Sequence, residues 1–185
     1  MTQIMSAIQN IDFAVLDFIQ AHMRVPFLDT VMTRITHLGD GGVLWIVLAI
    51  LLICIRKYRS EGFTSAAALI LCLIFCNFLL KNIVARTRPF DINTAVELLI
   101  KSPTDYSFPS GHTAAAFAIA AALLICRNRL FGIPALILAA LIAFSRLYLY
   151  VHFPSDVLGG MILGIILAIA AYVIINAVWQ KQEIR

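Results

Sequence analysis

Charged residues are scarce in this sequence. Lys, Arg, Asp and Glu make up 13% of its 185 residues, whereas soluble domains carry roughly 25%. Hydrophobic residues account for 62%, and they form long blocks instead of the periodic stripes that cover a soluble core. The composition therefore excludes a water-soluble domain and predicts one compact bundle in a membrane.

Cysteine is also sparse, and its spacing excludes two kinds of site. Cys54, Cys72, Cys76 and Cys126 lie within apolar stretches and lack the paired spacing of zinc or redox sites. We expect them to behave as small hydrophobic side chains. The first ten residues lack the basic start and apolar core of a secretory signal, so we expect the first membrane helices to direct insertion.

Apolar blocks and patterned segments define the expected architecture. Five blocks are candidates for membrane helices, at about residues 41–56, 63–80, 111–126, 131–150 and 157–179. From Asp12 to Gly39 apolar and polar side chains alternate, which predicts two short amphipathic helices at the interface. We expect an all-α, polytopic transmembrane bundle of about five to six spans. It forms a single domain over residues 1–185, with the amphipathic helices at 1–40 and the bundle at 41–180.

Basic residues predict the orientation. They fall in small groups beside apolar blocks, so they mark topology and do not indicate a nucleic-acid partner. The groups that share the predicted cytoplasmic side are Arg56, Lys57 and Arg59, then Arg127 and Arg129, then Lys181 and Arg185. The opposite side receives the N-terminal helices, the loop at 81–110 and the turn at 150–156.

The remaining unusual polar residues form three clusters at that opposite side. They occupy residues 81–89, 109–112 and 145–156, each at the end of an apolar block. Although the clusters are distant in sequence, neighbouring spans of a compact bundle can bring their ends together. The sequence therefore predicts one polar site at the non-cytoplasmic surface.

Three cations in these clusters indicate an anionic ligand. Lys81, Arg88 and Arg146 lie at block ends, and an unpaired cation near hydrocarbon costs about 3 kcal/mol even on lenient scales. A shared phosphate would satisfy them, because arginine engages two oxygens and lysine adds a compact charge. Each residue alone is equally compatible with snorkelling toward lipid headgroups. Snorkelling is the expectation for Arg86 and Lys101.

The second cluster precedes an apolar run and is typical of a helix start. Ser110 is a candidate N-cap, and Gly111 allows close backbone approach. Free amides at such a helix start bind phosphate. An ordinary cap with an interfacial histidine would explain these residues alone, but their position opposite the cations favours a phosphate site.

Two histidines and one carboxylate suggest covalent chemistry. A histidine attacks phosphorus only when neutral, and a carboxylate on its other ring nitrogen holds the required tautomer. Asp156 follows His152 at a predicted helix start, so this pair fits a nucleophile and its orienting partner, as in a serine hydrolase triad with histidine promoted to nucleophile. His112 is then free to protonate the leaving oxygen and later to activate water.

A zinc site built from His112, His152 and Asp156 is the competing hypothesis. Three neighbouring cations argue against zinc, because they would repel a divalent ion and already supply charge stabilisation. We therefore expect no metal and no other cofactor. His22 and His37, in the amphipathic region, are expected to be interfacial.

Together the clusters resemble the three signature motifs of the type 2 phosphatidic acid phosphatase superfamily of membrane lipid phosphatases, over about residues 40–180. The matching positions are Lys81, Arg88 and Pro89 in K-x6-R-P, residues 109–112 in P-S-G-H, and Ser145, Arg146, His152 and Asp156 in S-R-x5-H-x3-D. The resemblance implies metal-independent catalysis, inhibition by vanadate, and a core similar to that of vanadate-dependent haloperoxidases. It implies His152 as nucleophile, Asp156 as its partner and His112 as acid and then base. The implied phosphate ligands are Lys81, Arg88, Ser110, Gly111 and Arg146.

The substrate is less sharply indicated than the chemistry. The compact chain resembles bacterial phosphatases that convert undecaprenyl pyrophosphate to undecaprenyl phosphate on the outer face of the cytoplasmic membrane. Phosphatidylglycerophosphate, phosphatidic acid and lipid A phosphate are alternative substrates. A lipid phosphotransferase with the same phosphohistidine and a non-catalytic lipid-binding or transport protein are alternative functions, although the intact histidine and aspartate set argues against the last.

Overall fold

The computed structural model describes residues 3–183, which form helices and loops without a strand. The all-α prediction is therefore confirmed. The helices in chain order are α1 (Gln3–His22), α2 (Pro26–His37), α3 (Val43–Cys54), α4 (Arg59–Cys72), α5 (Lys81–Val84), α6 (Pro89–Ile92), α7 (Gly111–Ile125), α8 (Arg129–Tyr148) and α9 (Pro154–Glu183). Short 3-10 turns at Asp40–Gly42 and Arg56–Tyr58 precede α3 and α4, and a π-helical segment at Leu73–Leu80 joins α4 to α5.

Each of the five predicted apolar blocks contains a helix. Among the described residues, three helical stretches are long and apolar enough to cross a membrane, at Arg56–Ile92, Arg129–Tyr148 and Pro154–Gln180. A fourth crossing requires α2 and α3 together, bent by 41° between them. Twelve residues of α3 alone would extend only about 18 Å, short of the roughly 30 Å hydrocarbon core. The chain is a multi-pass membrane protein.

Helix α7 lies at the centre of the bundle. It packs against α4, α8 and α9, and its buried face consists largely of alanines such as Ala114 and Ala118. Small residues let membrane helices approach closely. A Cβ at Gly160 of α9 would lie 2.6 Å from the carbonyl oxygen of Ser110, so glycine is required for this contact. It places the first turns of α7 and α9 side by side.

The N-terminal helices pack on the bundle through one apolar face. Leu16 and Ile19 of α1 are buried, whereas Ile11 and Phe18 on the same helix are exposed. Helix α1 contacts α8 and α9, and α2 contacts α8. α1 begins at Gln3, well before the amphipathic pattern that starts at Asp12. Asp12 itself is buried at 2% exposure, which brings a charge of α1 into the bundle.

The π-helical segment positions the first cluster. Its wider turns follow α4 and end immediately before Lys81, whose side chain is buried. π-helical turns within α-helices are rare and occur frequently at functional sites. Cys72 at the end of α4 and Cys76 within the segment pack among alanines of α4, α7 and α9. The segment therefore leads to Lys81, which is buried, while apolar side chains of the segment such as Ile74 and Phe78 are exposed.

Candidate active site

A polar cavity of about 240 Å³ lies where the first turn of α7 meets the ends of α5 and α8. Five of the eight predicted site residues line it, namely Lys81, Arg88, His112, Arg146 and His152. The other predicted residues are adjacent. Asp156 and Ser110 are fully buried, and Gly111 lines a neighbouring apolar cavity. The three sequence clusters therefore meet, as the sequence predicted.

The ring of His152 is held in one tautomer by its neighbours. His152 is 1% exposed, and its Nε2 lies 3.3 Å from Nη1 of Arg88. Because arginine can only donate, Nε2 carries the lone pair and Nδ1 carries the hydrogen. Nδ1 lies 3.7 Å from Oδ2 of Asp156 and has no hydrogen-bond partner among the described side chains and backbone. The lone pair thus faces the cations that line the cavity.

The charge state of His152 is also fixed by its surroundings. Burial lowers the pKa of His152 well below its usual value of 6.5, and nearby cations lower it further. Both effects disfavour the imidazolium, since desolvation and like charges oppose protonation. The imidazole is therefore neutral at neutral pH, which is the state that a nucleophile requires.

Asp156 is anchored by an arginine that sequence reasoning placed outside the site. Nη1 of Arg86 lies 2.6 Å from Oδ1 of Asp156, and Nη2 lies 2.7 Å from Oδ2 of Asp12. The guanidinium also lies over the ring of Phe153, 4.1 Å from its centroid. The expectation that Arg86 snorkels toward headgroups is wrong, because two buried carboxylates hold it within the protein.

The second oxygen of Asp156 has its own donors. Oδ2 accepts from Oγ of Ser107 at 2.5 Å and from the backbone N–H of Phe153 at 2.9 Å. The backbone N–H of Ser110 donates to the carbonyl oxygen of Asp156 over 3.1 Å. These contacts tie the starts of α7 and α9 to the loop that precedes α7, so the carboxylate cannot move away from His152 independently.

Asp105 balances two of the three cations. Lys81 Nζ pairs with one oxygen of Asp105, and Nη2 of Arg88 lies 2.6 Å from the other. Partial burial raises the pKa of Asp105, but these two partners outweigh it and hold the pKa at about 2. Asp105 is 55% exposed at the cavity. A carboxylate therefore occupies the cation pair that was predicted to hold phosphate.

The third cation keeps free donors. Nη1 of Arg146 donates to Oγ1 of Thr36 at 2.5 Å, and its Nε has no partner within residues 3–183. A guanidinium that is 3% exposed and incompletely paired is costly without an anion. Arg146 is thus poised to bind one in the cavity. Lys101, expected to snorkel, is exposed and lines the rim of the same cavity.

The start of α7 has the predicted cap. Ser110 is the N-cap, and its hydroxyl accepts from the backbone N–H of Thr113 and from Oγ1 of the same residue. Gly111 faces Asn77, since a Cβ at Gly111 would lie 2.7 Å from Oδ1 of Asn77. His112 follows, and its ring reaches the polar cavity.

His112 meets a carboxylate from the N-terminal half. Its Nε2 lies 2.9 Å from Oδ1 of Asp40, and Nδ1 of His37 lies 2.7 Å from Oδ2 of the same carboxylate. His37 was expected to be a simple interfacial residue, but it lines the polar cavity. The turn between α2 and α3 therefore belongs to the site.

A second, apolar cavity of about 920 Å³ adjoins the polar one. It lies between α3 and the α4–π stretch, and its walls include Ile46, Ala49, Ala66, Leu69, Ile70 and Leu73. The two cavities share Lys81, Asp105 and His112. A single amphiphilic molecule can therefore place a charged head in one and an apolar chain in the other.

Comparisons with known proteins show a matching family, similar sequences and a similar solved structure. The family that matches is the PAP2 superfamily, over residues 61–180. The undecaprenyl-diphosphatase of Sulfolobus acidocaldarius is 32% identical over 157 residues, covering 84% of this chain and 75% of that protein. Undecaprenyl-diphosphatase BcrC of Bacillus subtilis is 38% identical over 144 residues, covering 76% and 71%. The crystal structure of a transmembrane PAP2 type phosphatidylglycerolphosphate phosphatase from Bacillus subtilis has a TM-score of 0.72 and 30% identity, covering 95% of this chain and 87% of that chain.

The helical bundle and the polar cavity define a membrane enzyme of the lipid phosphatase class, a hydrolase that acts on lipid phosphate or diphosphate. The chain belongs to the PAP2 superfamily.

Proposed function

We propose that the chain hydrolyses undecaprenyl diphosphate to undecaprenyl phosphate through a phosphohistidine intermediate. The observation that carries this proposal is the shared wall between the two cavities, which suits a phosphate head and a long apolar chain. Two relatives named undecaprenyl-diphosphatase, at 32% and 38% identity, support the same substrate.

The cations bind the terminal phosphate. Lys81 and Arg88 exchange Asp105 for phosphate oxygens, and Arg146 adds the unpaired donor of its guanidinium. Ser110 and Gly111 present the start of α7, whose amides and dipole favour an anion. Electrostatic stabilisation of this kind is worth most where water is excluded, and the cavity-facing Arg88 and Arg146 are both buried.

The first chemical step forms a phosphorus–nitrogen bond. Nε2 of His152 attacks the terminal phosphorus, and the bond from phosphorus to the bridging oxygen breaks. The electron pair of that bond stays on the leaving oxygen, which takes a proton from His112. Asp156 stabilises the positive charge that develops on His152. Its 3.7 Å distance from Nδ1 is expected to shorten when substrate binds, as catalytic hydrogen bonds often do.

The second step returns the enzyme to its starting state. His112 accepts a proton from water as the water oxygen attacks phosphorus. The phosphorus–nitrogen bond breaks, its electron pair returns to Nε2 of His152, and orthophosphate is released. The imidazole that acted as acid thus becomes the base, and no proton is lost or gained over the cycle.

The chemistry requires no metal in this proposal. The oxygens of Asp156 already accept from Arg86, Ser107 and the backbone of Phe153. Within the described residues, no three His, Cys, Asp or Glu side chains are placed to hold a metal ion. Activity in excess chelator is the expected result, and strict dependence on an added divalent ion would support the zinc hypothesis.

We place the enzyme in the bacterial cytoplasmic membrane with the polar cavity on the outer side. Arg127 and Arg129 flank the end of α7 opposite the cavity, and Arg56 and Lys57 lie between α3 and α4. Basic loops favour the cytoplasmic side. Arg185, also predicted to be cytoplasmic, lies outside the described residues. Cysteine labelling at Lys101 and at Lys57 in intact cells tests the orientation, since only Lys101→Cys should react with an impermeant reagent.

Phosphate release by detergent-purified protein tests the function. The panel contains undecaprenyl diphosphate, phosphatidylglycerophosphate, phosphatidic acid and lipid A phosphate, and undecaprenyl diphosphate is expected to give the highest kcat/KM. His152→Ala should abolish release, and acid-labile labelling of His152 by radioactive substrate should disappear with it. Full turnover by that variant would refute the nucleophile assignment. Transfer of phosphate to a lipid acceptor in place of water would identify a phosphotransferase, and binding without turnover a lipid carrier.

A further inference from the structure

The turn between α2 and α3 contacts the side chain of His112 directly. Asp40 lies in this turn, and its two oxygens contact Nε2 of His112 at 2.9 Å and Nδ1 of His37 at 2.7 Å. Asp40 comes from outside the three motif clusters, so no motif assigns it a role. It nevertheless contacts His112, whereas Asp156 lies beside the other histidine of the site, His152.

The backbone of this turn is shaped for that contact. A Cβ at Gly39 would lie 2.6 Å from Cδ2 of His112, so only glycine lets the chain pass so close to the imidazole. Gly41 and Gly42 have φ values of 58° and 68°, in the left-handed region that glycine adopts without strain. The three glycines therefore hold the carboxylate of Asp40 against the ring of His112.

The contact assigns the hydrogens of the ring. An ionised carboxylate can only accept, so Nε2 of His112 carries a hydrogen toward Asp40. Nδ1 is then the nitrogen that is left to exchange a proton with a substrate. A carboxylate on one nitrogen also stabilises the imidazolium form, and it fixes the orientation of the ring.

We propose that Asp40 is the positioning residue of His112, which it holds with Nδ1 directed to the leaving oxygen. This inference rests on the proposed phosphatase function and deepens it. In the first step Nδ1–H of His112 gives its proton to the oxygen that leaves phosphorus, and Asp40 stabilises the charged ring that supplied it. In the second step Nδ1 takes a proton from water, and Asp40 stabilises the charge that returns.

The dependence on leaving group separates this role from a structural one. An alkoxide needs a proton as it leaves, whereas a nitrophenolate is stable without one. Two substrates with the same apolar chain provide the comparison, dodecyl phosphate and a nitrophenyl phosphate that carries a dodecyl chain. For the aryl substrate, rapid mixing reports the burst of nitrophenolate that accompanies formation of phosphohistidine.

Asp40→Asn is the main variant, because it removes the charge and keeps the shape. It should lower the turnover of dodecyl phosphate by about tenfold or more. General acid–base catalysis contributes about 10²–10⁴-fold to the rate, and the loss of the positioning residue should remove part of that factor. The rate constant of the nitrophenolate burst should change by less than about threefold, because that step does not need the acid. Glu97→Gln, which neutralises an exposed carboxylate in the loop before α7, should match the wild type on both substrates.

A double variant tests whether Asp40 acts through His112. In a His112→Ala background, Asp40→Asn should cost no further steady-state turnover of the aryl substrate, since residues that act as a unit are not additive. Gly39→Ala, which pushes the turn away from the ring, should reproduce the leaving-group signature if Asp40→Asn fails to fold.

The outcomes distinguish two failures. If the wild type releases phosphate from neither of these substrates and not from undecaprenyl diphosphate, the proposed phosphatase function fails. If the wild type is active but the Asp40 and Gly39 variants slow the burst as much as alkyl turnover, or the losses with His112→Ala add, the inference about Asp40 alone is overturned.

Discussion

Nη1 of Arg86 lies 2.6 Å from Oδ1 of Asp156, a carboxylate with no exposed surface. The same guanidinium pairs with Asp12 at 2.7 Å. One cation from the loop after α5 therefore pairs with two buried carboxylates, one from α1 and one from α9. The side chain that orients the proposed nucleophile is thus held by an arginine from the same loop as Arg88, a proposed phosphate ligand.

Replacing Arg86 with Met should destabilise the protein strongly. Two carboxylates would be left buried without a cation, and breaking a buried pair costs about 3–5 kcal/mol. We expect a lower midpoint of thermal unfolding in detergent, together with a fall in kcat. Arg34→Met removes an exposed arginine on α2 and should leave both unchanged. A midpoint equal to that of the wild type would show that Arg86 does not anchor the two helices.

His152 should stay neutral as pH falls through the usual histidine range. Burial and neighbouring cations lower the pKa of His152 well below 6.5, so the folded protein resists protonation there. The unfolded chain binds this proton at about 6.5, so the contribution of His152 to stability is complete above that pH and is lost as pH falls below it. NMR of labelled histidine, assigned by loss of the signal in His152→Gln, measures the titration. A midpoint near 6.5 would contradict the prediction.

Neutralising Asp105 should tighten the binding of small anions. Its carboxylate pairs with Lys81 and Arg88 and has a pKa of about 2, so at neutral pH it competes with an incoming phosphate. In Asp105→Asn we expect inhibition by orthophosphate and vanadate to strengthen by about fivefold, a modest change because Asp105 is partly exposed and its field is screened. Asp91→Asn, an exposed carboxylate on α6, is the matched control. Weaker inhibition in Asp105→Asn would instead show that Asp105 holds the two cations in their binding positions.

Filling the apolar cavity should discriminate substrates by chain length. Ala66 lines this cavity, and a phenyl ring there would occupy space that a long chain needs. Ala66→Phe should raise KM for undecaprenyl diphosphate by about tenfold, the loss of about 1.4 kcal/mol of binding, and leave KM for isopentenyl diphosphate nearly unchanged. Val173→Phe adds the same ring on the exposed face of α9 and should affect neither. An equal rise in KM for both substrates would show that the isoprenoid chain of the substrate does not bind in this cavity.

The features that could be predicted from the sequence are those that a short segment encodes by itself. Long apolar blocks predict membrane helices, and the Ser-Gly pair before one of these blocks predicts the N-cap at Ser110. The meeting of Lys81, His112 and His152 followed from placing block ends on one surface. Each of these inferences depends on a property that a short segment carries by itself.

The partners of those residues could not be predicted in the same way. Asp12, Asp40 and Asp105 lie in segments with no shared motif, and which cation each one meets depends on helix packing. The need for anions was nevertheless visible, since buried cations require partners in the resting protein. The glycines that flank Asp40 were a further signal, because a carboxylate in such a turn can approach another helix closely. The position of Arg86 was predicted wrongly because it falls between Lys81 and Arg88, outside the motif positions of that cluster.

The common wall of the two cavities has a consequence for traffic through the enzyme. In the proposed reaction, the bond is cleaved while the phosphate head of the substrate lies in the polar cavity and its isoprenoid chain lies in the apolar cavity. Inorganic phosphate can then diffuse into the aqueous phase, and the isoprenoid product can return to the bilayer between α3 and the π-helical segment. The apolar part of the lipid would therefore stay within the bilayer throughout the reaction.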